Sequence, residues 1–213
     1  MSKPFFSVVI ATYNMADTLA GAINSVTSQS EKSWELIVVD DGSKDNTKQI
    51  VNFFIKEGLP IKYFYHQNSG LGISRNVGIN QALADWVVFV DADDEFFTSH
   101  LAVRRTAIEQ NPDVGLIYGP TEFLGSPLVP DKYRPGEQIH INQCFLIGTA
   151  AIKKEVLLSL SGFKNIHFED TDLFERIKES GVKTIRVDNA THIYRNFESQ
   201  DRITHKIRLS TRS

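Results

Sequence analysis

The sequence predicts an α/β fold: a Rossmann-like, mostly parallel sheet flanked by helices, followed by a more irregular second half. Three observations carry this expectation. Short apolar runs of strand length alternate four times with segments whose apolar residues recur at helical spacing. The central runs are continuously apolar, as burial on both faces requires. Two of the runs end in acidic residues, at the carboxyl edge where open parallel sheets bind ligands.

The first run, FFSVVIA (5–11), is followed by Leu19, Ile23 and Val26 at helical spacing. WELIVVD (34–40) is the second strand. The polar turn DGSKDNT then caps a helix carrying Ile50, Val51 and Phe54. IKYFYH (61–66) reads as the third strand. From 71 to 84, Ile73, Val77 and Leu83 suggest a helix, weakened by Gly72 and Gly78. WVVFV (86–90) is the fourth strand and runs into Asp91, Asp93, Asp94 and Glu95. After Gly115 the rhythm changes. GLIYG reads as a strand, and FLGSPLVPDKYRPGEQIHI, with three of the seven prolines, as an irregular loop or short ribbon. FLIGTAAI leads into a helix over 153–160. DLFERIKES is helical, with Leu173 and Ile177 on one face, and VKTIRVD is a further strand. The expected organisation is one domain over 1–213. It has a nucleotide-type first half to about 95, a variable second half to about 195, and a peripheral tail over 196–213.

With 213 residues, 41% apolar and 23% charged, the chain can bury one sizeable core. A net charge of -3 gives no electrostatic reason to expect a nucleic-acid partner. The single cysteine, Cys144, excludes an internal disulfide framework and a cysteine-rich zinc site; within CFLIG it reads as a core residue. No apolar stretch is long enough to span a bilayer, and the N-terminal segment lacks a small-residue cleavage site. A reduced, cytoplasmic setting is the expectation. Arg202, Lys206, Arg208 and Arg212 make the tail basic, which fits a solvated tail or peripheral contact with anionic lipid. Nothing in the sequence sets the oligomeric state.

VVFVDADDEF (87–96) places four carboxylates within five positions. Like charges this close raise one another's pKa and destabilise a fold unless a cation or strong donors compensate. A solvated capping turn and a divalent-metal site both fit this stretch alone. On an extended segment Asp91 and Asp93 point to one side while Ala92 points away. Hard oxygen ligands suit Mg2+ or Mn2+, not zinc. Magnesium keeps waters and takes further ligands from phosphate, so a diphosphate ester is the natural partner. Asp40 and Asp41 end the second strand at the same edge. Asp41 can accept a hydrogen bond from a ring N–H of a base, although DDGS also fits a helix cap and turn. Arg75 can contact a base or phosphate, or be an exposed helix charge. Glu169, Asp170 and Asp172 open a helix, where the dipole favours acids whatever their role. There is no GxGxxG after the first strand and no GxxxxGK[ST], so a Rossmann dehydrogenase and a P-loop kinase fit poorly.

Taken in order, SVVIATYN (7–14), ELIVVDDGSKDNT (35–47), NSGLGISRNVGI (68–79), VVFVDADDEF (87–96), LIGTAAIKKEVLLSLSGF (146–163) and FED (168–170) resemble an inverting family 2 glycosyltransferase with the GT-A fold. The resemblance covers nearly all of residues 5–195. It implies a metal-dependent enzyme, using Mn2+ or Mg2+. The donor would be a nucleoside-diphosphate sugar, with a UDP-sugar favoured. The acceptor would be a hydroxyl of a surface polysaccharide or other glycoconjugate, either a saccharide or a lipid-linked saccharide. It further implies that Ala11, Thr12 and Tyr13 line the nucleotide pocket, and that Asp41, with Asp40 beside it, reads the uracil ring. Arg75 would lie over base or phosphate. Asp91 would lie near the ribose and Asp93 on the metal, with Ala92 between them among the donor contacts. Asp170 matches the general base, and Glu169 orients it or the acceptor. His192 is either a late metal or phosphate contact or a structural strand-end histidine. Two departures stand out. Ser161-Gly162-Phe163-Lys164-Asn165 replaces the family's frequent GGFDE, and in HIYRNFESQ, which includes Ser199, no histidine follows Arg195. Among rivals, a nucleotidyltransferase lacks its Gly- and Arg-rich loop here. A receiver domain lacks its acidic pair after the first strand. An inactive sugar-nucleotide binder or scaffold stays as the alternative.

Overall fold

Strand β1 (Phe6–Thr12) is buried along its whole length, and its alternate side chains enter two different cores. Phe6, Val8 and Ile10 pack on one face and Val9 on the other. β2 (Trp34–Asp40) and β4 (Trp86–Phe89) divide in the same way. This is the physical reason that these runs are continuously apolar rather than alternating. The computed structural model describes residues 3–197; Ser199, Arg202, Lys206, Arg208 and Arg212 lie outside the described residues.

The order runs β1, α1 (Ala16–Thr27), β2, α2 (Thr47–Lys56), β3 (Ile61–Tyr65), α3 (Leu71–Gln81), β4, β5 (Glu95–Phe96), α4 (His100–Gln110), β6 (Leu116–Tyr118), β7 (Glu122–Gly125), β8 (Leu128–Pro130), β9 (Gln138–His140), β10 (Ala151–Lys153), α5 (Lys154–Ser159), α6 (Glu169–Glu179), β11 (Thr184–Arg186) and β12 (His192–Asn196). Seven strands form the central sheet in the order β11-β6-β10-β4-β1-β2-β3. Every pairing in it is parallel except those of β10, which runs antiparallel to both β4 and β6. Helices α1, α2 and α4 cover one face, and α3, α5 and α6 the other. Two small sheets, β5-β12-β7 and β8-β9, build the second half. Among the described residues no helix is long and apolar enough to cross a membrane.

The predicted fold class holds, with two local differences. FLIGTAAI leads into its helix through a 3-10 turn (Ile147–Thr149) and the strand β10, whose antiparallel direction apolar patterning cannot reveal. The Pro-rich stretch takes the second of its two expected forms, the short ribbon β8-β9. The face of α3 is not the predicted one, because Ile73 and Leu83 are exposed, and Leu83 lies beyond the helix. Gly72, Ser74, Arg75, Gly78 and Ile79 are buried instead. The glycines let the helix approach its neighbours closely. A Cβ at Gly78 would lie 2.3 Å from Val9 Cγ1, and one at Gly72 2.5 Å from the Lys164 carbonyl oxygen.

Gly78→Ala should therefore destabilise the protein. Val9 is β-branched, buried in the central strand and cannot yield cheaply. Overpacking of about 1–3 kcal/mol outweighs a helix-propensity gain of about 1 kcal/mol. The urea midpoint should fall; an unchanged or higher midpoint would refute the close-approach explanation.

Candidate active site

The carboxyl ends of β1, β2 and β4 bring their loops to one edge, since these strands are mutually parallel. Ala11 and Thr12 finish β1 buried, while Tyr13 is exposed. Thr12 Oγ1 is buried without a hydrogen-bond partner. Asn14 takes a left-handed conformation (φ 52°), which Asn tolerates. Its side chain accepts from Lys44 N at 2.8 Å, and its own N–H donates to Ser43 Oγ at 2.9 Å, tying the first turn to the second.

Asp40 and Asp41 are both buried, and both hold loops. Asp40 accepts from Ser43 N at 2.7 Å and from the Tyr63 hydroxyl at 2.6 Å. Asp41 accepts from Ser69 N at 2.7 Å, Gly70 N at 3.0 Å and Asn68 Nδ2 at 3.2 Å. It thus fixes the loop that launches α3. A carboxylate offers about four acceptor sites, so these bonds do not exhaust it.

Arg75, one turn into α3, is the centre of the arrangement. It is 3% exposed, so the exposed helix charge considered from sequence is ruled out. Nη2 donates to Asp91 Oδ1 and Nη1 to Glu169 Oε1, each at 2.6 Å. The guanidinium carbon lies 5.3 Å from the Phe163 ring centroid. One planar fork therefore joins the end of β4 to the start of α6, across 94 residues of sequence. Its two flanking carboxylates hold the guanidinium pKa above its ordinary value even though burial alone would lower it.

Residues 91–94 are not the extended segment expected from sequence: they form a turn closed by Asp94 N donating to the Asp91 carbonyl at 3.0 Å, so strand alternation does not set where Asp91 and Asp93 point. Asp91, Asp93 and Glu95 are half-buried, while Ala92, Asp94 and Phe96 are buried. Asp94 is structural: it accepts from Arg195 N at 2.9 Å. Glu95 pairs with Arg195 Nη2 at 2.6 Å. Asp91 and Asp93 remain as the candidate donor and metal carboxylates. His192 is 1% exposed, with Nδ1 2.8 Å from Thr121 Oγ1; its Nε2 lies 3.4 Å from Asp94 Oδ2 but makes no hydrogen bond. Behind it His100 stacks on Phe96, centroids 3.7 Å apart. Arg104 is fully buried there, bonded to Thr191 Oγ1 and, at 2.6 Å, to the Thr149 carbonyl. Burial pushes its pKa down to about 9. No sequence signal marks Arg104, because its partners are neutral and distant along the chain.

Helix α6 starts after Phe168, which is left-handed (φ 59°). Asp172 is held by Lys164 at 2.9 Å and by Arg176 at 2.7 Å, a structural role. Asp170 accepts from Thr171 N at 2.7 Å. Its pKa is pushed up to about 7, first by desolvation and then by the charge of Glu169, with Asp91 adding and Arg75 opposing. Asp170 is thus electrostatically coupled to the β4-end acid. Cys144 is half-buried rather than a full core residue, and burial raises its thiol pKa to about 11.

Among the described residues no three His, Cys, Asp or Glu side chains form a self-sufficient metal cage. Two half-buried hard carboxylates, Asp91 and Asp93, two positions apart in one turn nevertheless fit Mg2+ or Mn2+, which complete their shells with water and phosphate.

Comparison places this architecture. The chain superposes on the crystal structure of Staphylococcus aureus TarS 1-349 in complex with UDP-GlcNAc with a TM-score of 0.78, at 24% identity, covering 92% of this chain and 59% of that one. It also superposes on mannosyltransferase PcManGT from Pyrobaculum calidifontis in complex with GDP-Man and Mn2+, with a TM-score of 0.73 at 19% identity, covering 94% and 59%. The fold is that of the GT-A glycosyltransferases. The family model for glycosyl transferase family 2 matches residues 7–172, and the chain belongs to that family. It is 25% identical over 190 residues to the Escherichia coli UDP-Glc:alpha-D-GlcNAc-diphosphoundecaprenol beta-1,3-glucosyltransferase WfgD, covering 87% of this chain and 74% of that protein. Other relatives are longer: the chain spans 17% of two Rickettsia glycosyltransferases and 61% of one from Haemophilus influenzae.

Proposed function

We propose that this chain moves a sugar from a nucleoside-diphosphate sugar, with UDP as the favoured nucleotide, to a hydroxyl of a saccharide or lipid-linked saccharide, inverting the anomeric centre. One observation carries the reading. The Arg75 fork joins Asp91 to Glu169 and so brings Asp170 into the electrostatic field of the strand-end acids. The named substrates of WfgD and the ligand of TarS support the UDP preference, and the Mn2+ of PcManGT supports metal use.

In this mechanism the half from β1 to β5 takes the donor. Ala11, Thr12, Tyr13 and Asp41 line the nucleotide side, with Asp40 holding the turn. Asp91, already bonded to Arg75, faces the ribose, and Asp93 holds the metal. When bound, a divalent cation neutralises the charge that develops on the leaving diphosphate. Asp170 takes the proton from the acceptor hydroxyl as the new bond forms, a role suited to a carboxylate whose pKa lies near neutrality. Glu169, neutralised by Arg75, orients rather than accepts. His192, whose Nδ1 shares a hydrogen bond with Thr121 Oγ1, is assigned to tying β12 to the segment before β7, not to the metal.

A thermal-shift panel tests this. UDP with Mn2+ should raise the melting point, GDP and dTDP less so, and chelation should remove the effect. At 100 times Kd, bound ligand stabilises by about 2.7 kcal/mol. Asp93→Ala should lose the metal-dependent part alone. If no nucleotide shifts the transition with or without metal, the reading fails.

A further inference from the structure

A cavity of about 160 Å3 opens beside the proposed base, on the α3, α5 and α6 face of the sheet. We propose that it is the acceptor subsite and that it selects an anionic saccharide: a sugar ring against its aromatic wall, with a negative group paired to Arg186. This rests on the glycosyltransferase reading above.

Four features point there. The cavity adjoins the base: Phe174 lines it and lies four residues from Asp170 on α6, hence on the same helix face. Cys144, another lining residue, lies within the field of the Asp170 carboxylate. The wall is aromatic: Phe145 and Phe174 stack in parallel with centroids 4.4 Å apart, and Tyr118 meets Phe174 edge-on at 5.2 Å. A pyranose has an apolar C–H face and polar edges, and an aromatic wall with a polar rim matches it. The volume is well below the roughly 300–1,000 Å3 of pockets for drug-sized ligands, which scales it to one ring.

The charge is the fourth feature. Arg75, Arg105, Arg134, Arg176 and Arg195 all pair with carboxylates. Arg186 does not, among the described residues. It ends β11 in register with Tyr118, is exposed, and lines the cavity. A guanidinium left without a carboxylate, on a chain of net charge -3, beside an aromatic wall, is an anion receptor.

Cys144 is the chain's only cysteine, so thiol modification reports occupancy of the cavity without any turnover. Methyl methanethiosulfonate would be applied at fixed alkaline pH with an alkyl glucuronide, an alkyl glycosyl diphosphate or a neutral alkyl glucoside present. At least one anionic glycoside should slow modification about tenfold, the neutral one should not, and Arg186→Gln should abolish the difference. Whichever anion protects identifies a sugar carboxylate or a phosphate as the recognised group. Three results would each overturn the proposal: no protection by either anion, equal protection by the neutral glycoside, or protection undiminished in Arg186→Gln. Nucleotide thermal shifts run on the same samples separate the two readings. Intact nucleotide binding with an unprotected thiol removes the anionic subsite alone, whereas loss of nucleotide binding removes the enzyme reading beneath it.

Discussion

Asp170→Asn is expected to abolish sugar transfer while nucleotide binding and the fold survive. General-base removal costs on the order of 10²–10⁴ in rate. Asn keeps an acceptor oxygen for Thr171 N, so that N–H in the first turn of α6 keeps its partner. The stability effect has a definite sign. The folded-state pKa of Asp170 is raised, so its ionisation disfavours the fold increasingly as pH climbs from the ordinary carboxylate value toward about 7. Removing the charge should leave the melting point of the variant at or above wild type at pH 8. The same raised pKa sets the pH dependence of the wild type. Below about 7 the base is protonated, and kcat/KM should fall tenfold per pH unit; above it the profile should flatten. Transfer assays and melting curves at several pH values check all of this. Retained turnover in Asp170→Asn would remove the residue from the chemistry.

Arg75→Met carries the second large effect, and it concerns stability before activity. The substitution removes the cation that pairs with both Asp91 and Glu169. Stranding charges by breaking a buried pair costs about 3–5 kcal/mol. Asp91 remains about a third exposed, which places the expected loss near the lower end. Lowering the pH should recover part of it by protonating the two carboxylates. Arg75→Lys should recover less than its charge suggests, because one ammonium cannot span both acids with the geometry of the fork. Urea titration at two pH values measures these differences. A neutral Arg75→Met would mean that the fork does not hold the two halves together.

Much of the architecture could be read along the chain. The four strands of the first half, the helix of Leu173 and Ile177 and the strand-end acids all lie where apolar patterning puts them. Patterning failed where a residue's burial depends on its partner. Arg75, read from sequence as a contact or a solvated charge, is a buried cross-link. Gly72 and Gly78, read as weaknesses in a helix, are the points where that helix comes closest to its neighbours. Four acids within five positions, read together, part company: Asp94 and Glu95 fasten the turn to β12, while Asp91 pairs with Arg75.

By itself, then, the sequence determined the layered α/β fold, the strand edge that carries the acids, and the family motifs, since all of these are written in local periodicity and in residue type. Tertiary structure alone decided which charges meet. It paired Arg75 with Glu169 from the far half of the chain, enclosed Arg104 among neutral partners, and left Arg186, among the described residues, without a carboxylate beside an aromatic cavity. The reason is physical. Apolar burial follows from composition along a segment, but a charge acts through whatever lies within a few ångströms of it, and that neighbourhood exists only once distant segments have packed.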